Sequence, residues 1–93
     1  MIVSFADKET QRIFNRERSS KLPPDVQHRA RRKLEVLNAA PTLEVLKLPP
    51  SNHLESLKGD RKGQHSIRVN EKWRICFVWA DGQVLDVEIV DYH

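Results

Sequence analysis

A single cysteine, Cys76, excludes an internal disulfide and any cysteine-based metal cluster, a usage that suits a reducing compartment. No apolar run approaches the length of a membrane span, and Asp7, Lys8 and Glu9 interrupt the start before a signal peptide can form. A cytoplasmic protein with no membrane association is therefore expected. Glycine is scarce, at three residues, of which Gly59 and Gly63 permit tight backbone conformations in the basic loop at 58–63. The chain has no GxxxxGK[ST] loop, dinucleotide fingerprint, GxSxG elbow or HExxH pair. Its four histidines, His28, His53, His65 and His93, are scattered without ligand spacing, which predicts no metal and no cofactor.

Charge is abundant. Of the 93 residues, 31% are charged and 39% hydrophobic, with a net charge of +3. That length allows one domain, residues 1–93, with one modest core. Residues 12–33 hold eight basic and two acidic residues, and residues 58–74 hold six and two. Residues 81–93 reverse the sign, with four acids and no lysine or arginine. A cationic surface with an acidic final strand points to a polyanion or an acidic protein as partner.

The apolar residues are patterned. Ile2, Val3 and Phe5 suggest a short strand at or near a sheet edge, and Asp7 is placed to cap a helix containing Thr10, Ile13 and Phe14. After Pro23-Pro24, the recurrence of Val26, Ala30, Leu34 and Leu37 predicts the main helix, with Arg29, Arg31 and Arg32 turned from that stripe and Pro41 ending it. Residues 42–54 read as a structured loop. From Gln64 to Val69 the sequence alternates, and Asn70-Glu71 is read as a two-residue hairpin turn. On the next strand Trp73, Ile75, Phe77 and Trp79 share one face, while Arg74, Cys76 and Val78 share the other. Asp81-Gly82 signals a second hairpin, followed by a last strand from Val84 to Val90. The expected architecture is α+β, with two N-terminal helices packed on a small, twisted, mostly antiparallel sheet.

Several side chains could carry chemistry. Arg74 is either a solvated arginine on an uncovered face or a phosphate clamp, because a guanidinium offers a rigid fork matched to phosphate oxygens. Lys58, Arg61, Lys62 and Arg68 read as solvated surface or as an RNA-binding rim. Asp91, Tyr92 and His93 form either a proton-transfer cluster or an uninvolved tail. Cys76, inside a strand, is read as structural.

Three segments together, LKGDRKG at 57–63, SIRVNEKWRICF at 66–77 and VDYH at 90–93, make the chain similar to the RelE-like toxins of bacterial toxin-antitoxin systems, in the plasmid maintenance killer (HigB/GraT) group. The resemblance covers nearly the whole chain. It implies a RelE-like microbial RNase fold and a ribosome-dependent mRNA endonuclease that works without metal or cofactor, cutting through the 2'-OH. It implies as partners a helix-turn-helix antitoxin, the ribosomal A site and mRNA, with operator DNA reached only through the antitoxin. Arg74 and Lys58 match the phosphate-stabilising cations, and Asp91, Tyr92 and His93 the terminal catalytic triplet. Arg61, Lys62, Arg68, Lys72, Arg29 and Arg32 are the expected RNA or ribosome contacts. Glu55 stands where the family often has a histidine, so His53 becomes a possible substitute base. A degenerate, non-catalytic ribosome- or RNA-binding protein held by an antitoxin is the alternative.

Overall fold

The structure is a computed structural model, and it describes residues 1–91. Helix α1 spans Lys8–Phe14 and α2 spans Pro24–Ala39. Strands β1 (Glu55–Ser56), β2 (His65–Arg68), β3 (Trp73–Ala80) and β4 (Gln83–Asp91) form one sheet in the order β1-β2-β3-β4, every neighbouring pair antiparallel. Among the described residues no helix is long and apolar enough to cross a membrane.

The stripe on α2 does what its spacing predicts. Val26, Ala30, Leu34 and Leu37 are all buried, and they join Ile67, Ile75, Phe77, Val84, Val87 and Ile89 from the sheet in one core. Trp73 and Trp79 pack against the margin of that core. Burying a leucine fully stabilises by about 1.5–3 kcal/mol, so Leu34 and Leu37 are principal anchors of α2. The polar stretch between the helices is ordered by side chains. Gln27 donates to the carbonyls of Ser19 (2.8 Å) and Leu22 (2.5 Å), and the Ser19 hydroxyl donates to Glu9 at 2.6 Å.

Three local expectations are revised, and the structured loop at 42–54 is filled in. The N-terminal strand is reduced to two parallel bridges, Ile2 to Val84 and Phe5 to Val87, along the outer edge of β4. Asp7 occupies the N-cap position of α1, but its side chain makes no capping hydrogen bond. The two-residue turn at Asn70-Glu71 is instead a wider connection between Arg68 and Trp73. In it the Asn70 side-chain oxygen accepts from the amides of Lys72 and Trp73, each at 2.8 Å, replacing the ladder with an Asx turn. The segment 42–54 contains two 3-10 turns, Leu43–Lys47 and Pro50–Asn52, and the sheet gains β1 immediately afterwards. Buried Asn52 organises this segment by donating to the carbonyls of Leu46 (3.2 Å) and Leu48 (3.1 Å).

The Asp81-Gly82 hairpin forms as expected, with positive φ at both residues (51° and 80°) and Ala80 paired with Gln83. Further along β4, Asp86 adopts φ 52° where the register slips between Cys76 and Val78. This bulge turns both Val84 and Val87 into the core although they are three residues apart, a spacing that plain alternation would divide between faces.

Candidate active site on the open face of the sheet

Register decides which side chains meet. Ile75 and Phe77 face the helices, so Arg74 and Cys76 project from the opposite face, with Ser66 and Arg68 beside them on β2, Glu55 on β1, and Glu88 and Val90 on β4. Arg74 is 8% exposed, which rules out the solvated-arginine reading. Its Nε donates to the Ser66 hydroxyl at 2.8 Å, and its Nη2 donates to the His53 carbonyl at 2.5 Å. The Glu55 carboxylate lies 3.8 Å from Nη2 and is half exposed. These partners hold the guanidinium across β2, so its position is set before any ligand arrives.

His53 reaches this cluster through its backbone. It ends the Pro50–Asn52 turn in the left-handed region (φ 45°), which aims its carbonyl at Arg74 and leaves the residue exposed. The loop that carries it therefore does fold back onto the arginine. Glu55 is the member that the residue pattern overlooked, since two exposed residues show no alternation from which to infer β1. Its signal was its place just before Leu57 and the basic loop.

That loop passes over the Glu88 side of the same face. Leu57 is buried and Lys58 is exposed at the head of the Gly59–Arg61 turn, where Gly59 takes φ 64°. Arg61 pairs with Glu88 at 3.2 Å and with Gln64 at 3.1 Å, while Lys62 remains exposed. Lys72 pairs with Asp91 at 3.7 Å. Asp91 stands opposite Trp73, whereas Val90 stands opposite Arg74, so the Asp91 side chain leaves β4 on the other face from the guanidinium. Tyr92 and His93 lie outside the described residues. Arg29 and Arg68 line a groove together with Lys72, and Arg32 is exposed on α2 away from that lining.

Cys76 is fully buried, and desolvation pushes its thiol pKa up, against the opposing pull of Arg61. A buried thiol held protonated is a poor nucleophile. Native protein should react with Ellman's reagent on the order of 100-fold or more slowly than protein unfolded in urea, as stopped-flow absorbance would record. Equal rates would contradict its enclosure. Among the described residues, no group of His, Cys, Asp and Glu could hold a metal ion.

The family model described as the RelE-like toxin of type II toxin-antitoxin system HigB matches residues 3–93. The chain belongs to this HigB-like toxin family. Toxin HigB-1 of Vibrio cholerae is 38% identical over 87 residues, covering 92% of either chain. Endoribonuclease HigB of Proteus vulgaris is 32% identical over 98 residues and covers both chains completely. In solved structures, a chain of the YoeB-YefM complex from Staphylococcus aureus superposes with a TM-score of 0.57 at 18% identity, covering all of this chain and 95% of that one. At that identity the likeness concerns the fold: HigB-like and YoeB-type chains share helices on an antiparallel sheet.

Proposed function

We propose that the protein is the toxin of a type II toxin-antitoxin pair, an endoribonuclease acting as one domain that cuts mRNA in the ribosomal A site and is held inactive by a cognate antitoxin. Family membership and the Proteus relative's name support the nuclease activity. The observation that carries the assignment to a place is Arg74, a buried guanidinium fixed by Ser66 and His53 with a carboxylate beside it.

The chemistry follows from that pairing. The 2'-OH of the cut nucleotide attacks its own phosphorus, a base takes the hydroxyl proton, and cations stabilise the pentacoordinate phosphate. An acid then protonates the departing 5'-oxygen, leaving a 2',3'-cyclic phosphate and a 5'-hydroxyl. Arg74 supplies the preorganised charge and Lys58 a mobile second cation. Glu55 is the proton acceptor that geometry favours, since its carboxylate is exposed and 3.8 Å from the guanidinium that would hold the phosphate. His53 is the competing base, because its backbone is tied to the same arginine. Proton return to the leaving group falls to His93, with Tyr92 positioning the substrate base and Asp91 supporting the terminus. An acidic antitoxin segment would neutralise the toxin by covering this basic face.

The test is mapping of mRNA 5' ends on ribosomes programmed with a defined A-site codon. The parent and His53→Ala should cut within the A site, while Glu55→Gln should cut roughly 100-fold more slowly, as expected for loss of a general base. Glu55→Gln at parental rate with His53→Ala silent would transfer the base role to His53. Intact mRNA with saturating parent protein would favour a non-catalytic ribosome-binding protein.

A further inference from the structure

The loop that holds Arg74 is itself held by a helix. His53 offers its carbonyl to Arg74 Nη2 at 2.5 Å, and it does so from the left-handed region, φ 45°. A residue other than glycine is strained there and keeps that conformation where its surroundings fix it. The residue before it supplies the fixing. Asn52 is fully buried, and its Nδ2 donates to the carbonyls of Leu46 (3.2 Å) and Leu48 (3.1 Å) while its Oδ1 accepts from Lys33 Nζ. The amides of Asn52 and His53 close the turn on the carbonyls of Pro49 (2.9 Å) and Pro50 (3.0 Å).

Lys33 ties this turn to the core. It precedes Leu34 on α2, where Ala30, Leu34 and Leu37 are fully buried against the sheet, so its backbone is placed by packing. A lysine that merely covered surface would keep its ammonium in water. Here burial, and then the charge of Arg29, lower the pKa of Lys33. A partly desolvated ammonium is costly unless its protons are bonded, and the Asn52 oxygen accepts one of them.

We propose that Lys33 and Asn52 are positioning residues for RNA cleavage: they carry the placement of α2 through the Pro50–Asn52 turn to the His53 carbonyl, and so set the plane in which Arg74 meets the phosphate. The proposal rests on the nuclease reading, and in it neither residue touches RNA. Ser66 holds Nε from β2 and His53 holds Nη2 from the loop, and two holds on separate nitrogens define the plane of the guanidinium. The fork matches phosphate oxygens only in the right plane. Loosening the turn therefore misaligns the fork while the charge of Arg74 stays.

The experiment compares Lys33→Met, which keeps the stem and loses the donor, with Lys47→Met, which removes the same charge from the exposed Lys47–Glu44 pair. In single-turnover cleavage on programmed ribosomes, Lys33→Met should be slower by about 10- to 100-fold, the usual effect of misplacing a reacting group from a distance. Lys47→Met should cut within about twofold of the parent, and both variants should bind ribosomes with affinities within about twofold of each other. Lys33→Arg, which restores a donor, should recover most of the rate. In an Arg74→Lys background the loss from Lys33→Met should shrink below about twofold, because the fork it aligns is gone. Without RNA, the Arg74 Nε proton should exchange with water at least about tenfold faster in Lys33→Met, as NMR would record. Should Lys33→Met fail to fold, Lys33→Gln, with a polar end on a shorter stem, replaces it in every comparison. Cutting at the parental rate, or an equal loss in both Arg74 backgrounds, overturns the proposal, the second outcome reducing the contact to a matter of folding. If the parent cuts no mRNA, the nuclease reading fails. Faster Arg74 exchange would then leave the link from Lys33 to Arg74 standing, and unchanged exchange would remove it too.

Discussion

Arg74→Lys should lower the rate of mRNA cleavage on programmed ribosomes by about 100- to 1,000-fold, the usual loss when one preorganised donor to a developing oxyanion is removed. The substitution keeps a positive charge and a long stem. What it removes is the fork, because a single ammonium cannot reproduce the planar geometry that lets Nε bind Ser66 while Nη2 binds the His53 carbonyl. The lost quantity is therefore positioning, and ribosome affinity should stay within about threefold of the parent, since the net charge that governs it is unchanged. Lysine is the informative replacement. Alanine would leave the buried Ser66 hydroxyl without its donor, at about 1–3 kcal/mol, and release the His53 carbonyl as well, and so mix misfolding with lost chemistry. Cleavage at the parental rate by Arg74→Lys would show that charge alone suffices there.

Phe77→Ala should cost about 3–5 kcal/mol of folding stability. Phe77 is fully buried on the helix side of β3 and stacks with His65 at a centroid separation of 6.0 Å. It lies midway along the strand that joins β2 to β4, so the resulting void would open in the middle of the sheet. A domain of ordinary stability has about 5–15 kcal/mol to lose, so the variant should melt at least about 12 °C lower or fail to accumulate folded. Val45→Ala, at a side chain 44% exposed, should shift stability by no more than about 0.5 kcal/mol. Urea titration of both variants gives the comparison. A loss below about 1 kcal/mol at Phe77 would be incompatible with a close-packed core between the helices and β3.

The parts of the fold that depend on local periodicity were legible in the residues. The α2 stripe repeats at helical spacing because one face meets the sheet, and β3 alternates because its faces differ. The Asp81-Gly82 turn was legible because both residues tolerate positive φ. What escaped depends on partners distant in the chain. The bulge at Asp86 follows from how β4 registers on β3, and β1 exists because Glu55 and Ser56 pair with Ser66 and His65. Neither leaves a local pattern. The candidate site divides the same way. Alternation alone put Arg74 opposite the tryptophans, whereas its burial came from a loop whose Asn52 and His53 fold against it, a tertiary event that no spacing encodes. The match to the toxin family spans residues 3–93, a range that includes the segments at 57–63, 66–77 and 90–93 on which the resemblance was read.

The central claim is that this chain cuts mRNA through the 2'-hydroxyl at a site built on Arg74. The most direct measurement is cleavage of two otherwise identical mRNAs on programmed ribosomes, one all-ribose and one with a single 2'-deoxynucleotide on the 5' side of the mapped scissile phosphate. The account predicts that the all-ribose message yields a 2',3'-cyclic phosphate or a derived 3'-phosphate together with a 5'-hydroxyl, and that the deoxy message stays intact at that bond. Equal cleavage of the two messages at that bond would contradict it.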